Sequence, residues 1–188
     1  GLNLACRAVG RPGDEVMVVM PVYPPFLTAP ELQERRLLAV SARQTDGSWE
    51  LPLEAMEAAV TPATRLLLFC HPHNPLGRVW RKEELTKLVE FCRRHDLVLC
   101  SDELHCDLIL DPLRHVPAAT LPDAAGLTIT LMSPSKTYNV AGLQFAYAII
   151  PDPALRQAFR RAGAGFMEPD YPGWFGIAAA EAAYTGAG

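Results

Sequence analysis

Apolar residues arrive in short unbroken runs, separated by stretches in which they recur every three or four positions. Glu15–Met20 (EVMVVM) follows the turn Arg11-Pro12-Gly13-Asp14 and predicts a buried strand. Arg36–Val40 is a second, weaker strand, and Arg65–Cys70, Leu97–Ser101, Thr128–Met132 and Phe145–Ile150 follow. Helical spacing is clearest over Arg81–His95, where Leu85, Leu88, Val89 and Cys92 fall at i, i+3, i+4 and i+7 and Glu83–Lys87 forms an i,i+4 charge pair. Shorter helices are expected over Leu53–Val60, Ala154–Arg161 and Phe175–Tyr184, and Gly1–Ala8 reads as the last turns of another. Strands buried on both faces, alternating with helices, predict an α/β fold: a mostly parallel sheet in three layers.

Composition narrows the function. The 188 residues are 49% hydrophobic and 20% charged, ordinary for a packed domain. A net charge of −4 implies no broad basic surface, so neither nucleic acid nor a membrane is an expected partner. No apolar run is long enough to span a bilayer and no signal peptide is recognisable. Five cysteines without framework spacing suggest reduced thiols and a cytoplasmic setting. Cys92, His95, Cys100, His105 and Cys106 lie close in sequence but form no C-x-x-C pair, so no metal site is expected. The chain opens on Gly1-Leu2-Asn3-Leu4 without Met and stops at Gly186-Ala187-Gly188, and both ends read as cut from a longer chain.

In a sheet of this kind ligands sit beyond the carboxyl ends of the strands. Tyr23 follows the first strand, Asn74 lies in His71-Pro72-His73-Asn74-Pro75-Leu76-Gly77, Asp102 closes the Leu97–Ser101 strand with His105 just after it, and Ser133-Pro134-Ser135-Lys136 follows Thr128–Met132. Lys136, if partly desolvated, is a nucleophile for carbonyls; alone it also fits a solvent-facing loop lysine. Asp102 can keep a heteroaromatic nitrogen protonated, or cap a helix or pair with an arginine. Asn74 can donate to a phenolate oxygen, although Asn-Pro-x-Gly is also a tight turn. Tyr23 can lie on a ring or simply pack. Ser133 and Ser135 can hold a phosphate or be plain loop hydroxyls. Ser101-Asp102 with a histidine lacks the GxSxG elbow of a hydrolase.

Taken in order, the aromatic, Asn-Pro-x-Gly, Asp-x-x-His and Ser-x-Ser-Lys segments resemble the fold-type I enzymes that use pyridoxal 5′-phosphate, in the class I/II aminotransferase group. Asn74 and Asp102 are 28 positions apart and Asp102 and Lys136 are 34 apart, which suits successive strand–helix units. The strings PVYPPF, PHNPLGRVW, SDELHCDLIL and SPSKTYNVAGLQ look like the cystathionine β-lyase branch of carbon–sulfur lyases. The resemblance covers nearly the whole chain and implies that residues 1–188 are part of the family's large, cofactor-binding domain, without the upstream phosphate loop and the small domain.

The resemblance implies a role for each residue. Lys136 is the catalytic lysine that holds the cofactor and moves the Cα proton. Asp102 pairs with the pyridine nitrogen, Asn74 donates to the 3′-oxygen, His105 stands near that oxygen, Tyr23 stacks on the ring, and Ser133 and Ser135 lie near the phosphate. Where the aminotransferase pattern has a phosphate-clamping arginine eight positions after the lysine, this chain has Gln144, which favours the lyase branch. The implied reaction is α,β-elimination from a small amino-acid thioether, giving a thiol, pyruvate and ammonia. Transamination uses the same residues and is the alternative; a catalytically silent segment with the same fold is another. The family also implies a homodimer in the full-length protein.

Overall fold

The computed structural model describes residues 1–165 and 173–186. In chain order the elements are α1 (Leu2–Ala8), β1 (Glu15–Met20), α2 (Pro25–Leu32), β2 (Arg36–Ser41), β3 (Arg43–Thr45), β4 (Ser48–Glu50), α3 (Leu53–Ala59), β5 (Thr64–Cys70), α4 (Lys82–Arg94), β6 (Val98–Asp102), β7 (Thr128–Met132), β8 (Tyr147–Ile149), α5 (Pro153–Gly163) and α6 (Trp174–Thr185). Six strands form one sheet in the order β2-β1-β5-β6-β7-β8. All neighbours are parallel except β8, which runs antiparallel to β7. This is the mostly parallel three-layer α/β arrangement expected of the chain.

Side-chain alternation builds two cores from one sheet. Met17 and Val19 of β1, Leu67 and Phe69 of β5 and Leu99 of β6 face α3 and α4, where Met56, Trp80, Leu85, Leu88 and Cys92 complete a buried cluster. Val16, Val18, Leu66, Leu68 and Cys100 face the other way, against Ala5 and Cys6 of α1, Phe26 and Ala29 of α2 and Phe159 of α5. α4 buries the stripe Leu85, Leu88, Val89 and Cys92 that its periodicity predicts. Its ion pairs among the described residues run to other elements rather than along the helix: Arg78–Glu84, Arg94–Glu57 and His95–Glu57 are formed and the expected Glu83–Lys87 pair is not.

Two elements were not expected from the pattern. α2 carries Pro25 in its first turn, which lacks only an amide that would be unpaired there, and Pro30 near its end. The β3–β4 hairpin turns at Asp46 and Gly47, both at positive φ (50° and 77°), as a two-residue hairpin turn requires. The strand expected over Phe145–Ile150 is shorter, Tyr147–Ile149.

Candidate active site

The strand order reverses direction between β1 and β5: β2 lies on one side of β1, and β5 to β8 extend on the other. Such a switch point opens a crevice at the carboxyl ends of the strands. The loops there are bonded to one another. The Tyr23 amide donates to the Asn74 carbonyl at 3.1 Å. His73 Nε2 lies 2.9 Å from the Pro21 carbonyl, and because a carbonyl only accepts, this nitrogen carries the proton. Within the Asn74 turn, the Gly77 amide donates to His73 O at 2.9 Å and His73 N to Arg78 O at 2.8 Å; Gly77 sits at φ +63°, where a side chain would be strained. Cys70 Sγ accepts from the Asn74 amide and donates to Pro72 O, both at 3.3 Å. Burial pushes the Cys70 thiol up to about 12, so it acts here as a neutral hydrogen-bonding group.

Asp102 is the last residue of β6. Its carbonyl accepts from the His71 amide at 2.9 Å, the next amide, that of Glu103, donates to Leu131 O at 2.9 Å, and its carboxylate accepts from the Leu104 amide at 3.3 Å. Strand alternation turns its side chain toward the face that holds Phe26 and Cys70.

Tyr23, Asn74, Asp102, His105 and Lys136 line one cavity of about 70 Å³, together with Phe26, Cys70 and Leu104. A larger cleft of about 440 Å³ adjoins it and shares Asn74 and His105. The three additional wall residues look like ordinary core in the sequence; Phe26 belongs to the unexpected helix α2, and Cys70 is found only by following the β5 alternation to its end.

Burial raises the Asp102 carboxyl to about 6, against the opposing pull of the Leu104 amide and of positive charge that includes Lys136. Burial, then the Lys136 charge, lowers His105, so its imidazole is neutral at physiological pH. Lys136 therefore acts electrostatically on both groups, while its own side chain is exposed in the turn after β7. Among the described residues, the side chains of Tyr23, Asn74, His105 and Lys136 make no hydrogen bond, and neither does the buried Thr137 hydroxyl next to the lysine.

Ser133 and Ser135 are not in the cavity wall. The Ser133 hydroxyl donates to Phe145 O at 2.7 Å and accepts from the Ser135 amide at 3.0 Å, which shapes the lysine turn. Gln144 is exposed and left-handed (φ +53°), at the end of the single turn Ala141–Leu143.

An amine within electrostatic reach of a desolvated carboxylate, beside an unused amide, suits an aldehyde cofactor with a basic ring nitrogen. The donor set thus fits the aldehyde and ring of pyridoxal phosphate, and the sheet is of the kind that carries it. The family model described as aminotransferase class I and II matches residues 1–183, and the chain belongs to that family. It is 39% identical to cystathionine beta-lyase PatB of Bacillus subtilis (strain 168), over 100% of this chain and 49% of that protein. Among solved structures, OvoB superposes with a TM-score of 0.92 at 43% identity, covering 100% of this chain and 50% of that one. Cystalysin from Treponema denticola, which contains a pyridoxal 5′-phosphate cofactor, superposes at 0.93 with 35% identity over 100% of this chain and 48% of that one. The chain spans about half the length of the relatives it matches. Pyridoxal 5′-phosphate is the cofactor of the family.

Proposed function

We propose that the protein is a carbon–sulfur β-lyase that cleaves an amino-acid thioether to a thiol, pyruvate and ammonia, consuming one water. The observation that carries this is the convergence of Lys136, Asp102 and Asn74 on one cavity, in a chain similar to a cystathionine β-lyase along its whole length. When bound, pyridoxal phosphate supplies an electron sink for negative charge at the substrate Cα.

The chain's residues do the rest. The Lys136 amine would hold the cofactor's aldehyde carbon and would take the proton from the substrate Cα. The Asp102 carboxylate would keep a proton on the ring nitrogen, and the Asn74 amide would donate to the phenolate oxygen, with neutral His105 beside it. Tyr23 would cover the ring, and the turn shaped by Ser133 and Ser135 would lie near the phosphate. Departure of the thiolate from Cβ completes the elimination. Residues 1–188 form, on this reading, part of the large domain of a cytoplasmic homodimer; the free thiols of Cys6, Cys70, Cys92, Cys100 and Cys106 support a reducing compartment.

The test is incubation of the full-length protein with cystathionine and no added keto acid. Thiol and pyruvate should appear together in equal amounts. Turnover that requires a keto acid and releases no thiol would make the protein a transaminase instead.

A further inference from the structure

Beside the cavity, on the opposite face of β6, lies a polar cluster with no place in the reaction above. Glu103 follows Asp102, so its side chain points to the α3–α4 face, where it is 1% exposed. Three donors converge on its carboxylate. Ser101 Oγ donates to Oε1 at 2.8 Å, the Ala118 amide to Oε1 at 3.0 Å, and His115 Nε2 lies 2.6 Å from Oε2. A carboxylate only accepts, so His115 Nε2 carries the proton. His115 stacks on His71, with ring centroids 4.5 Å apart, and His71 Nε2 donates to Val116 O at 3.1 Å. Burial, then the neighbouring His115, lowers His71 to about 4, so it remains neutral and the pair can stack.

A buried carboxylate is costly unless its lone pairs are filled, and this one is filled from both ends of one loop. Residues 104–114 leave the sheet at Glu103 and return at His115. That loop carries His105 into the cavity, and it begins at the peptide joining Asp102 to Glu103. With Glu103 anchored on one face and the Leu104 amide bonded to the Asp102 carboxylate on the other, the backbone around Asp102 has little freedom to rotate.

We infer that Glu103 is a positioning residue: anchored by Ser101, His115 and the Ala118 amide, it sets the direction in which Asp102 faces the cofactor's ring nitrogen. The inference rests on the assignment of Asp102 to that nitrogen. Glu103 touches no reacting atom and acts only through its neighbour.

The test uses two cofactors on the full-length protein: pyridoxal phosphate, and its analogue with carbon in place of the ring nitrogen. Affinity for each is measured by absorbance and fluorescence titration. The ratio of the two affinities reads the Asp102–nitrogen interaction and is blind to general damage, which lowers both. The wild type should prefer pyridoxal phosphate, and Asp102→Asn should bring the ratio close to one. Glu103→Gln keeps the size of the side chain but loses the charge that holds His115, and should reduce the ratio by about fivefold. Ser101→Ala removes one of the three donors and should reduce it by a smaller factor, about twofold; circular dichroism checks folding. If Glu103→Gln does not fold, the Ser101→Ala ratio decides. A variant that weakens both cofactors equally, with the ratio unchanged, overturns the inference. A wild type with no preference between the two cofactors instead removes Asp102 from the ring nitrogen, and the site assignment fails first.

Discussion

The Tyr23 amide donates to the Asn74 carbonyl at 3.1 Å, so the loops that leave β1 and β5 are joined at the switch point of the sheet. The bond uses backbone only. Both side chains stay available to the cavity, and a ligand placed between them meets two loops that are tied to each other.

Lys136→Ala should abolish covalent retention of the cofactor while leaving the fold intact. The lysine is exposed in its turn and makes no hydrogen bond among the described residues, and surface substitutions of this kind usually change stability by less than about 0.5 kcal/mol. Borohydride reduction followed by mass measurement checks it: mass added to the variant would exclude Lys136 as the attachment point.

Asp102→Asn should show itself even without cofactor. Burial raises the folded carboxyl from 3.8 to about 6. A raised folded value favours the folded state below about 3.8, and that advantage is lost as pH rises through about 6. Above this window the wild type holds a desolvated charge that the amide does not carry. Cofactor-free Asp102→Asn should therefore melt a few degrees higher than wild type at pH 7.5 and at the same temperature near pH 3.5. A melting difference independent of pH would contradict the burial of this charge.

Cofactor affinity should follow the same group in the other direction. The Asp102 carboxylate attracts a protonated ring nitrogen only when ionised, so affinity should fall as pH drops through about 6 in the wild type. In Asp102→Asn that limb of the profile should be flat. Equal pH dependence in the two proteins would assign the titration elsewhere.

Phe26→Ala should both loosen the core and widen the site. Phe26 is fully buried, packs in the α1–α2 face and lines the cavity. Loss of a buried phenyl ring costs about 3–5 kcal/mol. Chemical denaturation should show that loss, with weaker cofactor binding. A variant of wild-type stability would mean that the α2 packing is not as described.

Arg78→Lys should behave almost like Arg78→Ala. The guanidinium bonds Trp49 O at 3.1 Å, both Glu84 carboxylate oxygens at 2.8 and 3.0 Å, and Val79 O, and it lies 5.0 Å over the Trp80 ring. An ammonium cannot reproduce that fork. Each change should cost about 1–3 kcal/mol and lower cofactor affinity through the Asn74 turn. Full rescue by lysine would show that charge alone holds the turn.

Strands β1 and β7 were legible to the residue, because a short run of β-branched and apolar residues between turn signals is a local property of the chain. Tyr23, Asn74, Asp102, His105 and Lys136 were legible as candidates for a related reason: parallel strands put all their carboxyl ends on one edge, so the polar residue after each strand arrives at the same place. Helix α2 was not legible, because Pro30 argues locally against a helix and packing of Phe26 and Ala29 against the sheet outweighs it. The orientation of Ser133 was not legible either, since its partner, the Phe145 carbonyl, lies twelve residues on. Glu103 looks like a second acid beside Asp102. Alternation alone turns it to the opposite face beside Ser101, but only the fold brings His115 and Ala118 to its carboxylate, because hydrogen bonds across a loop depend on where the chain returns and not on what it is made of.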